Sequence, residues 1–205
     1  FRKDITLEPL PIRTRKQRTY AQFKQSPDGR YLAWTSNELG QYKVWLMEVA
    51  TGKVRRIIKG EKKLDRIVDR TYPVLAWHPS SKALSYALER KGNLYLRTYT
   101  LDDKKTTEKS VLMLEKILSM SYSNDGRNII FSAVRDGRTD LYLYYVIGNR
   151  QDQLTDDQYD DLDPRFVDGD RRIIFSSDRD QDTLRGLKDV ALVNGSKDVF
   201  LYDLL

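Results

Sequence analysis

An aliphatic and an aromatic residue two positions apart recur along the chain: Leu32 and Trp34, Leu84 and Tyr86, Ile129 and Phe131, Ile173 and Phe175. A period of two places both members of a pair on one face of a β-strand. A turn precedes each pair. The four read Ser26-Pro27-Asp28-Gly29-Arg30, His78-Pro79-Ser80-Ser81-Lys82, Ser123-Asn124-Asp125-Gly126-Arg127 and Val167-Asp168-Gly169-Asp170-Arg171. Asp-Gly supplies the positive-φ position that a tight hairpin needs. The second turn lacks Asp-Gly and is expected to be built differently.

A strand is predicted before each turn, at Ala21-Gln22-Phe23, Leu75-Ala76-Trp77, Met120-Ser121-Tyr122 and Pro164-Arg165-Phe166. Another is predicted after each pair, at Val44–Met47, Leu94–Arg97, Leu141–Tyr144 and Val199–Tyr202. Outer strands follow at Val54–Ile58 and at Gln153-Leu154-Thr155. Lys104 to Lys116 is read as strand or loop, with Val111–Leu114 as its outer-strand candidate. The pairs are spaced by 52, 45 and 44 residues, counted from Leu32 to Leu84 to Ile129 to Ile173. Four strands every 40 to 50 residues or so is the period of a propeller blade. One blade cannot cover both of its own faces, so blades stack and each covers its neighbour. The expected fold is all-β, a single β-propeller segment over 1–205 with about four four-stranded blades near 18–60, 70–110, 115–156 and 160–205. No long amphipathic segment separates the strands, which excludes TIM-like and doubly wound α/β folds.

Composition narrows the chemistry more than the fold. The 205 residues are 40% hydrophobic, enough for one sizeable core. No run reaches the roughly 18 apolar residues of a membrane helix, so no transmembrane segment is predicted. With no cysteine and only His78, disulfides, thiolate sites and histidine-rich metal sites are excluded. The net charge of +6 is unevenly spread. Residues 1–30 carry eight Lys/Arg against three Asp/Glu, and residues 151–170 carry eight Asp against Arg165 alone. Opposed ends of this kind argue against nucleic acid as a partner, because a nucleic-acid protein shows a coherent basic stripe. Phe1 opens the chain without a methionine or signal pattern, so it is expected to be a piece of a longer protein.

The Ser-Pro-Asp-Gly-Arg turn, followed by a strand that ends aromatic-Ser/Thr-Ser, resembles the PD40 (TolB-like, WD40-like) β-propeller repeat. The fourth repeat carries the likeness best. Asp161-Leu162-Asp163-Pro164-Arg165-Phe166 precedes its turn, Ile173-Ile174-Phe175-Ser176-Ser177-Asp178-Arg179 follows it, and Leu154-Thr155 stands where such repeats end in Leu-Thr. The chain departs from the pattern in the second turn and in the fourth repeat. There Ile173 and Val199 lie 26 positions apart, against 12, 10 and 12 in the other repeats. The excess around residues 184–197 is either an insertion at a blade tip or a discontinuity in the sequence. The resemblance implies a disc of roughly six to eight blades, within the range of closed propellers, so four are expected to be an incomplete arc whose remainder lies outside this stretch or is capped by another chain.

The resemblance implies a non-enzymatic protein–protein interaction scaffold of the bacterial cell envelope. It would be periplasmic or outer-membrane associated, and would contact lipoproteins or secretion and outer-membrane assembly components in protein transport. Similar propellers also gate prolyl-oligopeptidase-like serine peptidases, which is the alternative, and a sugar- or ion-binding lectin-like propeller is a third. No Gly-x-Ser-x-Gly elbow, P-loop, dinucleotide fingerprint or zinc spacing occurs, and no catalytic residue is assigned.

The candidate partner surface is the acidic approach to the fourth blade: Asp156, Asp157, Asp160, Asp161 and Asp163, with Asp178, Arg179, Asp180 and Asp182 beyond the next strand. The run from Asp152 to Asp163 also raises calcium, with Asp157, Asp160 and Asp161 as candidate ligands. The EF-hand spacing and its twelfth-position Glu are absent, so no cofactor is the expectation and the carboxylates are read first as turn caps. His78 is read as a turn residue. Tyr86, Tyr95 and Tyr142 are read as packing residues, while Tyr20, Tyr42, Tyr72, Tyr159 and Tyr202 are freer to face a partner. The basic clusters Arg13, Arg15, Lys16, Arg18 and Arg55, Arg56, Lys59, Lys62, Lys63 are read as solvated surface.

Overall fold

The computed structural model describes residues 18–38, 41–59, 73–90, 92–179 and 197–204. Fifteen strands occupy them, and none of the described residues is helical. Three sheets have four strands and the fourth has three, all antiparallel and in chain order. The chain divides into two compact units, Phe1–Gln25 with Gly29–Tyr72, and Ser26–Asp28 with Pro73–Leu205.

The first sheet runs β1 (Arg18–Gln25), β2 (Tyr31–Glu38), β3 (Gln41–Glu48) and β4 (Val54–Lys59). Ala33, Trp34, Val44, Leu46 and Met47 are its buried apolar positions among the described residues. The β1–β2 register shifts between Ala21 and Lys24, where Gln22 takes a φ of 56°.

The second unit holds three sheets. One is β5 (Val74–Trp77), β6 (Ala83–Arg90), β7 (Asn93–Thr100) and β8 (Thr106–Val111). The next is β9 (Lys116–Tyr122), β10 (Asn128–Arg135), β11 (Arg138–Tyr145) and β12 (Arg150–Gln153). The last is β13 (Asp161–Val167), β14 (Arg172–Ser177) and β15 (Asp198–Asp203). The inner strands expected from the alternation are present, but the outer strand placed at Val111–Leu114 lies earlier, over Thr106–Val111. The outer strand expected at Gln153–Thr155 begins earlier, at Arg150, and ends at Gln153. Leu154 and Thr155 leave the strand but stay tied to β11. The Leu154 N–H donates to the Leu141 carbonyl at 2.8 Å, and the Leu141 N–H donates to Thr155 Oγ1 at 2.9 Å. Residues 184–196, the core of the expected insertion, lie outside the described residues.

The period-two pairs explain how the sheets stack. Ile129, Phe131 and Ala133 of β10 join Val74, Ala76, Ala87, Leu94 and Leu96 of the second sheet in one core cluster. Ile130, on the opposite face of β10, joins Leu141, Ile173 and Phe175 in another. The middle sheet is therefore covered on both sides. That is why β10 reads Ile-Ile-Phe-Ser-Ala rather than alternating with charges. Burying one such side chain is worth about 1.5–3 kcal/mol. Tyr86 and Tyr142 are buried as packing residues, while Tyr95 is half-buried beneath the Arg90 guanidinium, 5.0 Å from the ring centre.

The second turn is a correction. It keeps the backbone of the Asp-Gly turns although it lacks Gly. Ser81 takes the left-handed conformation at φ 60°, matching Gly29 at 74° and Gly126 at 73°. The Ser81 N–H donates to the His78 carbonyl at 2.9 Å, as Gly126 does to Ser123 at 3.0 Å. What changes is the side-chain brace. In the Asp-Gly turns Ser26 and Ser123 donate to Asp28 and Asp125 at 2.6 Å. In the second turn His78 Nδ1 meets the Ser80 hydroxyl at 2.8 Å and accepts the Ser80 N–H at 3.2 Å.

His78 is thus a turn residue, and it also reaches the next sheet. Its ring sits edge-on to Tyr122, with centres 5.1 Å apart, and bonds to the Gly126 backbone. Burial holds its pKa below the ordinary 6.5, against a smaller opposing pull from that backbone bond. A proton therefore binds His78 more readily after unfolding, and the stability linked to it is complete above about pH 6.5 and falls as the pH drops. The difference in unfolding free energy between the protein and His78→Asn is expected to shrink on acidification below that point. Urea titrations across pH 5–8 check this, and a pH-independent difference would contradict it.

Candidate functional site

The acidic segment between the third and fourth sheets is shaped by its own hydrogen bonds. The Tyr159 N–H donates to Asp157 Oδ1 at 2.9 Å, a short-range carboxylate turn. The Asp160 N–H donates to Asp178 Oδ1 at 2.8 Å, which ties the segment to the residue after β14. β13 then begins at Asp161, and its register against β14 shifts between Leu162 and Arg165. Asp163 stands in that bulge at φ 52°. The bulge also accommodates Pro164, which has no N–H to give a regular ladder.

Two residues assigned to the partner surface from sequence turn inward. Asp161 is 0% exposed and Arg179 only 2%. Arg179 Nη2 donates to both Asp161 oxygens, at 2.6 and 2.8 Å, and lies 3.0 Å from Asp157 Oδ2. Its Nε donates to the Ser177 hydroxyl at 2.9 Å. The guanidinium also lies 5.4 Å and 5.5 Å from the ring centres of Phe175 and Phe200. This is a buried structural pair, so Asp161 and Arg179 are withdrawn from the docking surface. Among the described residues, the buried Arg179 Nη1 meets no acceptor.

Asp156, Asp160 and Asp163 remain exposed. Asp156 pairs with Arg138 at 2.9 Å, across two largely solvated side chains. Asp157 and Asp178 are half-buried. Asp180 and Asp182 lie outside the described residues, as do Arg13, Arg15, Lys16, Lys62, Lys63 and Tyr72. Of the other tyrosines expected to be free, Tyr159 sits 6.0 Å beneath the Arg179 guanidinium, and Tyr202 packs on the core of the last two sheets. Tyr20 and Tyr42 are half-buried in the first sheet.

The three carboxylates that converge are not the three singled out for calcium. Asp140, Asp157 and Asp161 bring one oxygen each within 4.8 Å of one another, whereas Asp160 contributes its backbone N–H elsewhere. Three carboxylate oxygens suit a small hard cation, but here the Arg179 guanidinium already binds two of the three. Asp140, on β11, was not identified from sequence. The available signal was an acidic residue inside a strand, flanked by Thr139 and Leu141, where Asp is depleted. Asp140 is 1% exposed and accepts from the Asp157 N–H at 3.3 Å and from Gln153 Nε2 at 3.2 Å. Burial pushes its pKa up to about 6, and the neighbouring Asp157, Asp161 and Asp156 add to the rise against the Asp157 N–H bond. Burial also pushes Asp161 up, with the Ser177 hydroxyl and the Arg179 charge pulling back.

The arrangement is an acidic surface over a buried ion pair between Asp161 and Arg179. No family model matches the chain. Among curated proteins it is similar to the Tol-Pal system protein TolB of Francisella tularensis subsp. holarctica, at 25% identity over 175 residues, covering 83% of this chain. The chain spans 38% of that relative's length. Among solved structures it is similar to TolB from Acinetobacter baumannii, with a TM-score of 0.65 at 17% identity, over 91% of this chain and 41% of that one. A prolyl endopeptidase structure is similar at a TM-score of 0.58 and 14% identity, over 92% of this chain and 27% of that one. The fold is that of a β-propeller, and the chain is similar to TolB in sequence and in fold.

Proposed function

We propose that this TolB-like propeller works as a non-enzymatic protein-interaction scaffold of the bacterial cell envelope, in the periplasm, within an assembly of the Tol-Pal type. The observation that carries the reading is the likeness to TolB along most of the chain, in sequence and in fold. Its partners are envelope proteins, with lipoproteins and outer-membrane assembly or secretion components the classes that fit. The contact surface is the exposed acidic set Asp156, Asp160 and Asp163 with Asp178. Asp157 and Asp161 hold the loop beneath them in place.

The partner this surface selects is basic, and attraction between exposed charges speeds encounter and weakens with salt. Changing Asp156, Asp160 and Asp163 together to Asn should preserve the fold, because none of the three is buried. Co-purification of the full-length protein with envelope lipoproteins, identified by mass spectrometry, is expected to fall several-fold in this variant. Recovery equal to that of the unaltered protein would remove this surface from the proposal.

The alternative is a propeller that gates a serine peptidase, favoured by the structural likeness to a prolyl endopeptidase. A stoichiometric fluorophosphonate adduct on the folded full-length protein would establish that reading. Absence of an adduct would leave the scaffold ahead.

A further inference from the structure

Two apolar side chains stand in solvent where packing gives no reason for them. Leu112 is 67% exposed and Met113 69%, in the link 112–115 between β8 and β9. The matching link between the third and fourth sheets, 154–160, exposes Asp156, Gln158 and Asp160 instead. Met113 also holds φ at 63°, in the left-handed region that is costly for a residue with a side chain. Strain of this kind at a mostly solvated side chain points to a role outside the core. The pair is nevertheless held firmly. Gln151 Nε2, on β12, donates to the Leu112 carbonyl at 2.7 Å. Leu114 is buried in the core shared by the second and third sheets. The Glu115 N–H donates to the Val134 carbonyl at 2.9 Å, and the Glu115 carboxylate accepts the Asp136 N–H at 3.0 Å. Both ends of the two-residue step are fixed, so little ordering is needed when a partner covers it.

The charges around the pair select its occupant. Neighbouring strands are antiparallel, so the link 112–115, the β10–β11 turn at 136–137 and the link 154–160 share one end of the third sheet. Arg135 is matched there by Asp136 at 3.4 Å, and Arg138 by Asp156 at 2.9 Å. The exposed Glu115 and Asp160 then outnumber the exposed Lys116. An acidic end repels an anionic bilayer and attracts Lys and Arg.

We propose that Leu112 and Met113 form an apolar docking point for a protein segment whose exposed apolar side chain is bordered by Lys or Arg. The apolar residue covers the pair, and the cations face the acidic end of the sheet. Methionine suits such a contact, because its unbranched thioether adapts to the shape of what it meets. The proposal rests on the scaffold reading above, and adds to the acidic surface an apolar element that salt does not screen.

The test puts the photo-reactive residue p-benzoylphenylalanine in place of Leu112 in the full-length protein, in intact cells. The control position is Ile147, 82% exposed in the β11–β12 turn at the other end of the sheet. The peptide joined at position 112 is expected to come from a second protein and to carry an apolar residue beside Lys or Arg, and the control is expected not to yield it. Leu112→Asn combined with Met113→Asn should lower co-purification of that second protein several-fold. The urea midpoint of this variant should be unchanged or raised, because Asn tolerates the left-handed conformation. An adduct within the protein's own chain, on lipid or on an acidic peptide overturns the proposal, as does no adduct or the same peptide at both positions. So does unchanged co-purification, or a lowered midpoint, which would make the pair part of the fold. Each of these leaves the scaffold reading standing, whereas a fluorophosphonate adduct removes that reading whatever is joined at position 112.

Discussion

Arg179→Met is expected to lower the unfolding free energy by about 3–5 kcal/mol, the cost of leaving a buried charge without its partner. Asp161 is fully buried and takes two hydrogen bonds from this one guanidinium. Methionine fills much of the same space between Phe175 and Phe200 but offers no charge, and Asp157 loses the same cation. The loss should be smaller when Asp161 is also changed to Asn, because the stranded charge is then gone. Urea unfolding of the single and double variants separates the two contributions. A single variant within about 1 kcal/mol of the unaltered protein, on the scale of a surface ion pair, would show that the pair is not buried in solution.

Gly126→Ala carries the second large effect. Gly126 has a φ of 73°, and a Cβ there would collide with the His78 ring, meeting Nε2 first and Cε1 at 2.6 Å. The left-handed conformation costs a side-chain-bearing residue about 1–2 kcal/mol, and overpacking adds about 1–3 kcal/mol. Gly137 is the matched control, because its φ is 75° and nothing lies within 4 Å of its added Cβ. Gly137→Ala should show the conformational cost alone, so the gap between the two variants measures the collision. Combining His78→Ala with Gly126→Ala should close most of that gap. Equal losses at Gly126 and Gly137 would mean that the His78 ring does not pack on the turn.

The strands were legible because their signal is local. A period-two pair behind Asp-Gly needs nothing from the rest of the chain to be recognised. The geometry of the second turn was not legible. Ser81 adopts a conformation that glycine favours, and only the recurrence of the surrounding strands forces it there. At the acidic site, sequence located the segment and assigned some of its residues wrongly. Charge density identifies a polar surface, but it does not distinguish a carboxylate that faces water from one that faces a guanidinium 18 positions later. Asp160 and Asp161 are neighbours in the chain, and a strand that begins between them sends one outward and the other into the core. Asp140 escaped notice because its partners arrive from separate elements.

The order of the strands within each sheet has a consequence for how the molecule is made. Every sheet is a meander in chain order, so most pairings join residues close in sequence, and loop closure for each is entropically mild. A sheet can assemble once its own strands have emerged during synthesis, in the manner of repeat proteins that nucleate locally and propagate. The buried Ser132 hydroxyl donates to the Asp161 carbonyl at 2.6 Å, at the first residue of the following sheet. The third sheet therefore completes its own polar interior only when the fourth begins to arrive, which gives assembly of this part of the chain a direction, from N-terminus to C-terminus.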